Sequence, residues 1–308
     1  RESELAEIMS LTGRTRLYGG TGTGSTALLV EAGRRLMTSD EGRTVAVYAD
    51  ISGLSVSAAA ERLGMALLEA GVLGSEHLTD NWGELMSSVR NELRCGAFDG
   101  RRLYLLIDGA EDFITESARR NGEPITALDV CTKESTAAGF RYILAGFTSS
   151  AHCERVTGEG KDGIQLCPLF PGDSARLLTR AADCLGIRLE GSVIRYIVSV
   201  CCGYPGLVKS FIARICAIID EKVRSAPDMA LPYSVSDGTL AEALADGGFH
   251  RDFTDRLRSA LYGTDDISRL NAAYIMAAID CGGMSFTPAL LRDSAEAMGL
   301  TQLSSLSD

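Results

Sequence analysis

Residues 15–26 read Thr15-Arg16-Leu17-Tyr18-Gly19-Gly20-Thr21-Gly22-Thr23-Gly24-Ser25-Thr26, a short strand-like run followed by a glycine-rich loop. Beyond it, Leu28, Leu29, Ala32 and Leu36 recur at helical spacing, so a strand over 15–18 leads through the loop into a helix over about 25–37. Residues 19–26 keep the spacing G-x-x-x-x-G-K-[ST] with one departure: Ser25 stands at the lysine position. Glycines in such a loop free a run of backbone N–H groups to point at phosphate oxygens above a helix N-terminus. Thr26 falls where a hydroxyl ligates Mg²⁺. A lysine at 25 would donate charge-assisted hydrogen bonds to terminal phosphates, and its loss weakens binding by about 1.5–3 kcal/mol, roughly 10–150-fold. The alternative reading of this stretch is a strand–helix turn that holds no ligand.

Outward from the loop, near-continuous apolar runs predict further strands at 43–51, 103–107, 140–145 and 164–167, with helical patterns at 55–73 and 82–95 between them. Strands apolar on both faces and separated by helices predict a parallel sheet covered on each side, with functional groups at the strands' carboxyl ends. Leu105-Leu106-Ile107-Asp108 ends in a carboxylate placed to hold Mg²⁺, directly or through water, beside phosphates. The loop follows the first strand and Asp108 ends the third, an order that suits ATPases in which an extra strand separates the two motif-bearing strands. A glutamate next to such an Asp orients the attacking water in active members. Here the neighbour is Gly109, with Glu111 and Asp112 just beyond, either within reach or simply solvated loop acids. Two departures in two catalytic parts predict weak or absent hydrolysis.

From Pro168 onward the strand signals fade. Helices are expected over 174–184 and 190–201, then from Cys202-Gly203-Tyr204-Pro205 to about 223, and three or four short ones after 234. The domains expected are 1–167, 168–228 and 229–308.

Composition sets the class. The 308 residues are 45% hydrophobic and 23% charged, enough to bury a sizeable core, and the net charge of −11 opposes nonspecific adhesion to nucleic acid or anionic lipid. No apolar run reaches the roughly 18–20 residues a membrane span requires, and no signal-like start is seen. Nine cysteines at irregular spacing, no CxxC pair and three scattered histidines exclude zinc-ligand spacing and read as reduced core thiols of a cytoplasmic protein. Residues 234–308 hold five arginines, no lysines and 11 acids, so nucleic acid is not the expected partner there.

Together these stretches resemble a STAND-type P-loop NTPase within the AAA+ and ORC/Cdc6-like group. The resemblance is carried by Arg1-Glu2-Ser3-Glu4-Leu5, Leu17-Tyr18-Gly19-Gly20 through Gly24-Ser25-Thr26-Ala27-Leu28-Leu29, and Leu105 to Glu111. Phe140 to Gly146, Gln165 to Leu169 and Cys202 to Gly206 extend it over about residues 1–225. It implies a three-layer α/β/α parallel sheet, a helical lid and a C-terminal winged-helix-like helical domain. It also implies ATP or ADP with Mg²⁺, bound by residues 19–27 (Gly19, Gly20, Thr21, Gly22, Thr23, Gly24, Ser25, Thr26, Ala27) and by Pro205, whose counterpart lies near the base, with Thr26 and Asp108 at the metal. Pro205 reads equally well as a helix-start proline. Asp108, Glu111 and Thr148, at the position of a strand-four sensor, are the implied catalytic residues.

The function implied is a nucleotide-controlled switch for oligomerisation in a signalling protein, antiphage defence being one setting, with adenine nucleotide and protein partners or self-association. Two other readings are a pseudo-ATPase scaffold for protein contacts and a DNA-binding transcription regulator. A lysine-to-serine change made to trap one state would also leave Ser25 as it stands.

Overall fold

The computed structural model describes residues 1–11, 13–19, 22–39, 42–94, 101–110, 113, 140–147, 163–226 and 231–262. Its contacts group into two compact units, one of residues 1–19 and 24–167, the other of residues 20–23 and 168–308.

The first unit is built on five parallel strands: β1 (Arg14–Tyr18), β2 (Thr44–Asp50), β3 (Arg102–Asp108), β4 (Phe140–Phe147) and β5 (Ile164–Gln165). Their order is β2-β3-β4-β1-β5, so β4 lies between the strand that enters the glycine loop and the strand that ends in Asp108. The extra strand read from the sequence is thus in place. Side-chain alternation along β3 divides the core into two layers. Leu103, Leu105 and Ile107 pack with the helices α3 (Val56–Glu69) and α4 (Trp82–Arg94). Tyr104 and Leu106 pack on the other face with α1 (Glu2–Met9) and α2 (Ser25–Ser39). The fold is therefore three-layered, as expected. Asp108 shares the parity of Tyr104 and Leu106 and so belongs to the α2 face. Trp82 is buried and meets Phe113 at a ring-centroid separation of 4.5 Å.

Parallel pairing puts the ends of β2 and β3 in step, with Asp50 opposite Asp108. The chain leaving β2 folds over the end of β3, the Ile51 amide donating to the Asp108 carbonyl at 2.9 Å.

The second unit is mainly helical: α5 (Pro171–Cys184), α6 (Gly191–Cys201), α7 (Pro205–Ser225), α8 (Asp237–Ala245) and α9 (Gly247–Tyr262). Pro171 and Pro205 each stand in the first turn of their helix, where a missing N–H costs nothing. One apolar core joins all five helices, from Leu178 through Phe211 and Ile215 to Phe253, with Phe211 edge-on to Phe249 and Phe253.

Two corrections to the sequence reading arise here. Strand structure does not stop at 168: β6 (Ile187–Leu189) and β7 (Tyr233–Val235) form a parallel pair. Three-residue strands are too short to show a period. The described cysteines are not mainly core thiols either. Cys201 is buried, Cys216 is half-buried, and Cys167, Cys184 and Cys202 are exposed. Cys184 and Cys202 fall at helix ends, where apolar neighbours in sequence do not imply burial. No described helix is long and apolar enough to cross a membrane.

Candidate nucleotide and metal site

The site begins where β1 gives way to α2. Gly22 and Gly24 adopt φ of +83° and +96°, a backbone region open to glycine but costly for other residues, so the spacing of these glycines is a conformational requirement. The first backbone bond of α2 runs from Leu28 N–H to the Gly24 carbonyl at 3.0 Å. The N–H groups of Ser25, Thr26 and Ala27 therefore start the helix without partners inside it, which is the arrangement that attracts an anion.

Thr26 and Asp108, 82 residues apart, are brought together: the threonine hydroxyl donates to Asp108 Oδ2 at 2.5 Å. The Asp108 residue is only 6% exposed. Its Oδ1 accepts from the Gly109 amide at 3.1 Å, and Oδ2 accepts a longer bond from the Tyr48 hydroxyl at 3.3 Å. Burial and then the nearby Asp108 and Asp50 carboxylates push the Tyr48 phenol well above its ordinary value, so it stays a proton donor through the physiological range. A hydroxyl and a buried carboxylate in mutual contact are hard oxygen donors, and they fit Mg²⁺.

The residue after Asp108 is as telling as Asp108 itself. Gly109 has φ +72°, and a Cβ built on it would strike the Ser52 hydroxyl and come within 2.5 Å of Ser52 Cα and 2.6 Å of its amide nitrogen. Ser52 is held there by Asp50, whose Oδ1 accepts from the Ser52 amide at 3.0 Å and from its hydroxyl at 2.6 Å. Gly146, near the end of β4, has φ +110°, and its own Cβ would lie 2.9 Å from Gly109 Cα. The ends of three strands thus meet backbone to backbone.

Within the second unit, the Gly206 amide donates to the Gly22 carbonyl at 2.9 Å, and a Cβ at 206 would lie 2.9 Å from Gly22 Cα. Pro205 is the first residue of α7, with Tyr204 before it as the cap. The sequence reading singled out Pro205, and the structure gives the close contact to Gly206, the next residue.

From Gly22 through Thr23, Gly24, Ser25, Thr26 and Ala27 the chain runs directly into α2, Gly19 follows β1, and Asp108 joins the start of the helix through Thr26. Gly20, Thr21, Glu111 and Thr148 lie outside the described residues. Sequence reasoning missed Tyr48, Asp50 and Ser52. The available signal was a tyrosine and an aspartate two apart, closing an otherwise aliphatic strand on one face.

No protein-family model matches the sequence, and a search of curated proteins by sequence finds no match. Solved structures do match by fold. The Aeropyrum pernix ORC2 protein in its ADP form aligns with a TM-score of 0.53 at 14% identity, over 98% of this chain and 80% of that one. Drosophila ORC bound to DNA aligns at 0.55 and 15% identity, over 98% and 75%. Domain III of the Thermotoga maritima replication initiation protein DnaA aligns at 0.50 and 16%, over 82% and 90%. The parallel sheet with its flanking helices has the AAA+ ATPase-domain fold of these ORC and DnaA structures.

Proposed function

We propose that this chain is a nucleotide-binding, self-associating module of STAND-like type, a switch in which adenine nucleotide controls assembly and hydrolysis is impaired. The observation that carries the reading is the 2.5 Å bond between Thr26 and Asp108, which joins the loop's helix to the end of β3 on the face of α2. ATP or ADP is the proposed ligand, its phosphates cradled by the amides of residues 19–27. Thr26 and Asp108 would hold Mg²⁺, which neutralises phosphate charge when bound. Pro205 is the proposed neighbour of the base. Glu111 and Thr148 keep their proposed catalytic roles.

Further support comes from the order of elements in the chain and from the fold neighbours, one of them an ADP form and another containing ADPNP and ADP. Impaired hydrolysis follows from Ser25 and Gly109. A signalling setting, antiphage defence among them, with protein partners and a cytoplasmic location, goes with the STAND reading. The division into 1–167, 168–228 and 229–308 goes with it too, and the break after Cys167 supports its first boundary.

Calorimetry with ATP and ADP, with and without Mg²⁺, tests the reading, paired with sedimentation velocity in each state. Binding that tightens with Mg²⁺ and shifts the sedimentation coefficient is the expected result; no heat with either nucleotide defeats it. A second reading, a scaffold that binds no nucleotide, is favoured by the substitution of Ser25 for lysine. DNA as a partner is opposed by the acidity of residues 234–308, but one neighbour is DNA-bound, so the same protein belongs in a salt-dependent DNA titration.

A further inference from the structure

The polar surroundings of Asp108 come from an unexpected strand. In an ATPase of this class the second acidic group follows the aspartate on β3, but here Gly109 has no side chain and no room for one. The space is taken by Ser52, backbone and hydroxyl together, and Ser52 is tied by two hydrogen bonds to Asp50. The backbone of Gly146 also packs close by, since a Cβ built on it would come within 2.9 Å of Gly109 Cα. Meanwhile Tyr48, two residues before Asp50 on the same strand, donates to the Asp108 oxygen that Thr26 also contacts.

We propose that the end of β2 has replaced the residue after Asp108 as organiser of this site. Tyr48 acts as a positioning residue for the Asp108 carboxylate, and the Asp50–Ser52 turn seals the side-chain space of residue 109. With position 109 closed, the site holds a magnesium–nucleotide complex with no acid at that position to activate water, and the switch is reset by nucleotide exchange. This rests on the nucleotide reading above for its ligand, although the closure itself does not.

A carboxylate with one oxygen bound by both Thr26 and Tyr48 keeps its orientation when the threonine hydroxyl turns toward a metal, because the tyrosine bond remains. A side chain at 109 needs both a different φ and a displaced 50–53 turn, so supplying an acid there does not supply a positioned one.

Closure is tested without nucleotide. Gly53 also has a positive φ, +66°, but nothing lies within 4 Å of its Cβ direction, which makes Gly53→Ala the control for backbone strain alone. Thermal unfolding of the full chain is expected to show Gly109→Ala lowered by several degrees more than Gly53→Ala. Equal shifts overturn the closure.

The second arm uses the Ser25→Lys chain as its reference, with ATP and Mg²⁺ or EDTA. Adding Tyr48→Phe should weaken Mg²⁺-dependent binding roughly 3–10-fold while leaving the EDTA value unchanged. A merely structural role would shift both values equally and so overturn the positioning claim. Adding Gly109→Glu should give no phosphate release, and steady turnover overturns the exchange model. A Ser25→Lys chain that binds neither ATP nor ADP overturns the nucleotide reading and the exchange model with it. The glycine pair identifies that failure as distinct from a failure of closure.

Discussion

Ser25 begins α2 where a lysine would meet terminal phosphates, and the surrounding backbone is intact: Gly22 and Gly24 keep their positive φ, and Thr26 reaches Asp108. Ser25→Lys is therefore expected to tighten nucleotide roughly 10–150-fold, measured by calorimetry. Cys202 makes a second residue-scale case. It is the one described non-glycine residue with positive φ, +48°, at the end of α6. Cys202→Gly relieves that strain and should stabilise the chain by about 1 kcal/mol in chemical denaturation. The loop glycines, Thr26 and Asp108 were legible in the sequence because their spacing encodes a local turn and a strand end. Ser52 over Gly109 was not, because three turns distant in the chain meet only once the strands are in register.

At the scale of elements, α1 is tied to α2 by Arg35, which bonds Glu2 at 2.7 and 2.8 Å and Glu31 at 2.7 Å. Hydrogen bonds from Arg34 and Arg35 hold the Glu31 carboxyl at about 2, below its ordinary 4.5, and the Arg35 bond lowers Glu2 as well. A lowered carboxylate stabilises the folded chain fully above its unfolded value, and that contribution fades below 4.5 and is lost as pH falls through about 2. Between pH of about 6 and about 3, the melting temperature should fall more steeply for the native chain than for a Glu2→Gln/Glu31→Gln variant. High salt should shrink the difference, since these groups face solvent. Strands β2, β3 and β4 were readable from apolar runs of useful length, β1 from the glycine loop it enters, and β5 from a short run before Pro168. The β6–β7 pair was not, since its members are short and are placed by the packing of α5, α6 and α8.

Among the described residues the core falls into a sheet sandwiched between helix pairs and a helical cluster drawn from residues 178–257. Because the described residues of that second core all lie at 178 or beyond, a fragment spanning 168–308 should retain helical circular dichroism and unfold cooperatively. A broad, non-cooperative melt would show that its core depends on the rest of the chain. What the fragment loses is the partner of the Gly206 amide, the Gly22 carbonyl. The three-layer class was legible from alternating elements, and the placing of β4 between the motif strands from their order. That the loop's middle residues group with the helical body was not legible, since it brings together backbone positions 184 residues apart, Gly22 and Gly206.

The contact of Gly109, Ser52 and Gly146 also constrains how this sequence can change. Any larger residue at 109 is penalised until the 50–53 turn has first been remade, and that turn has no reason to move while 109 remains small. Mutational paths that place a side chain at 109 therefore run in a fixed order through variants worse than their parent. In a deep mutational library, position 109 should accept substitutions only in combination, whereas Gly53 accepts some singly.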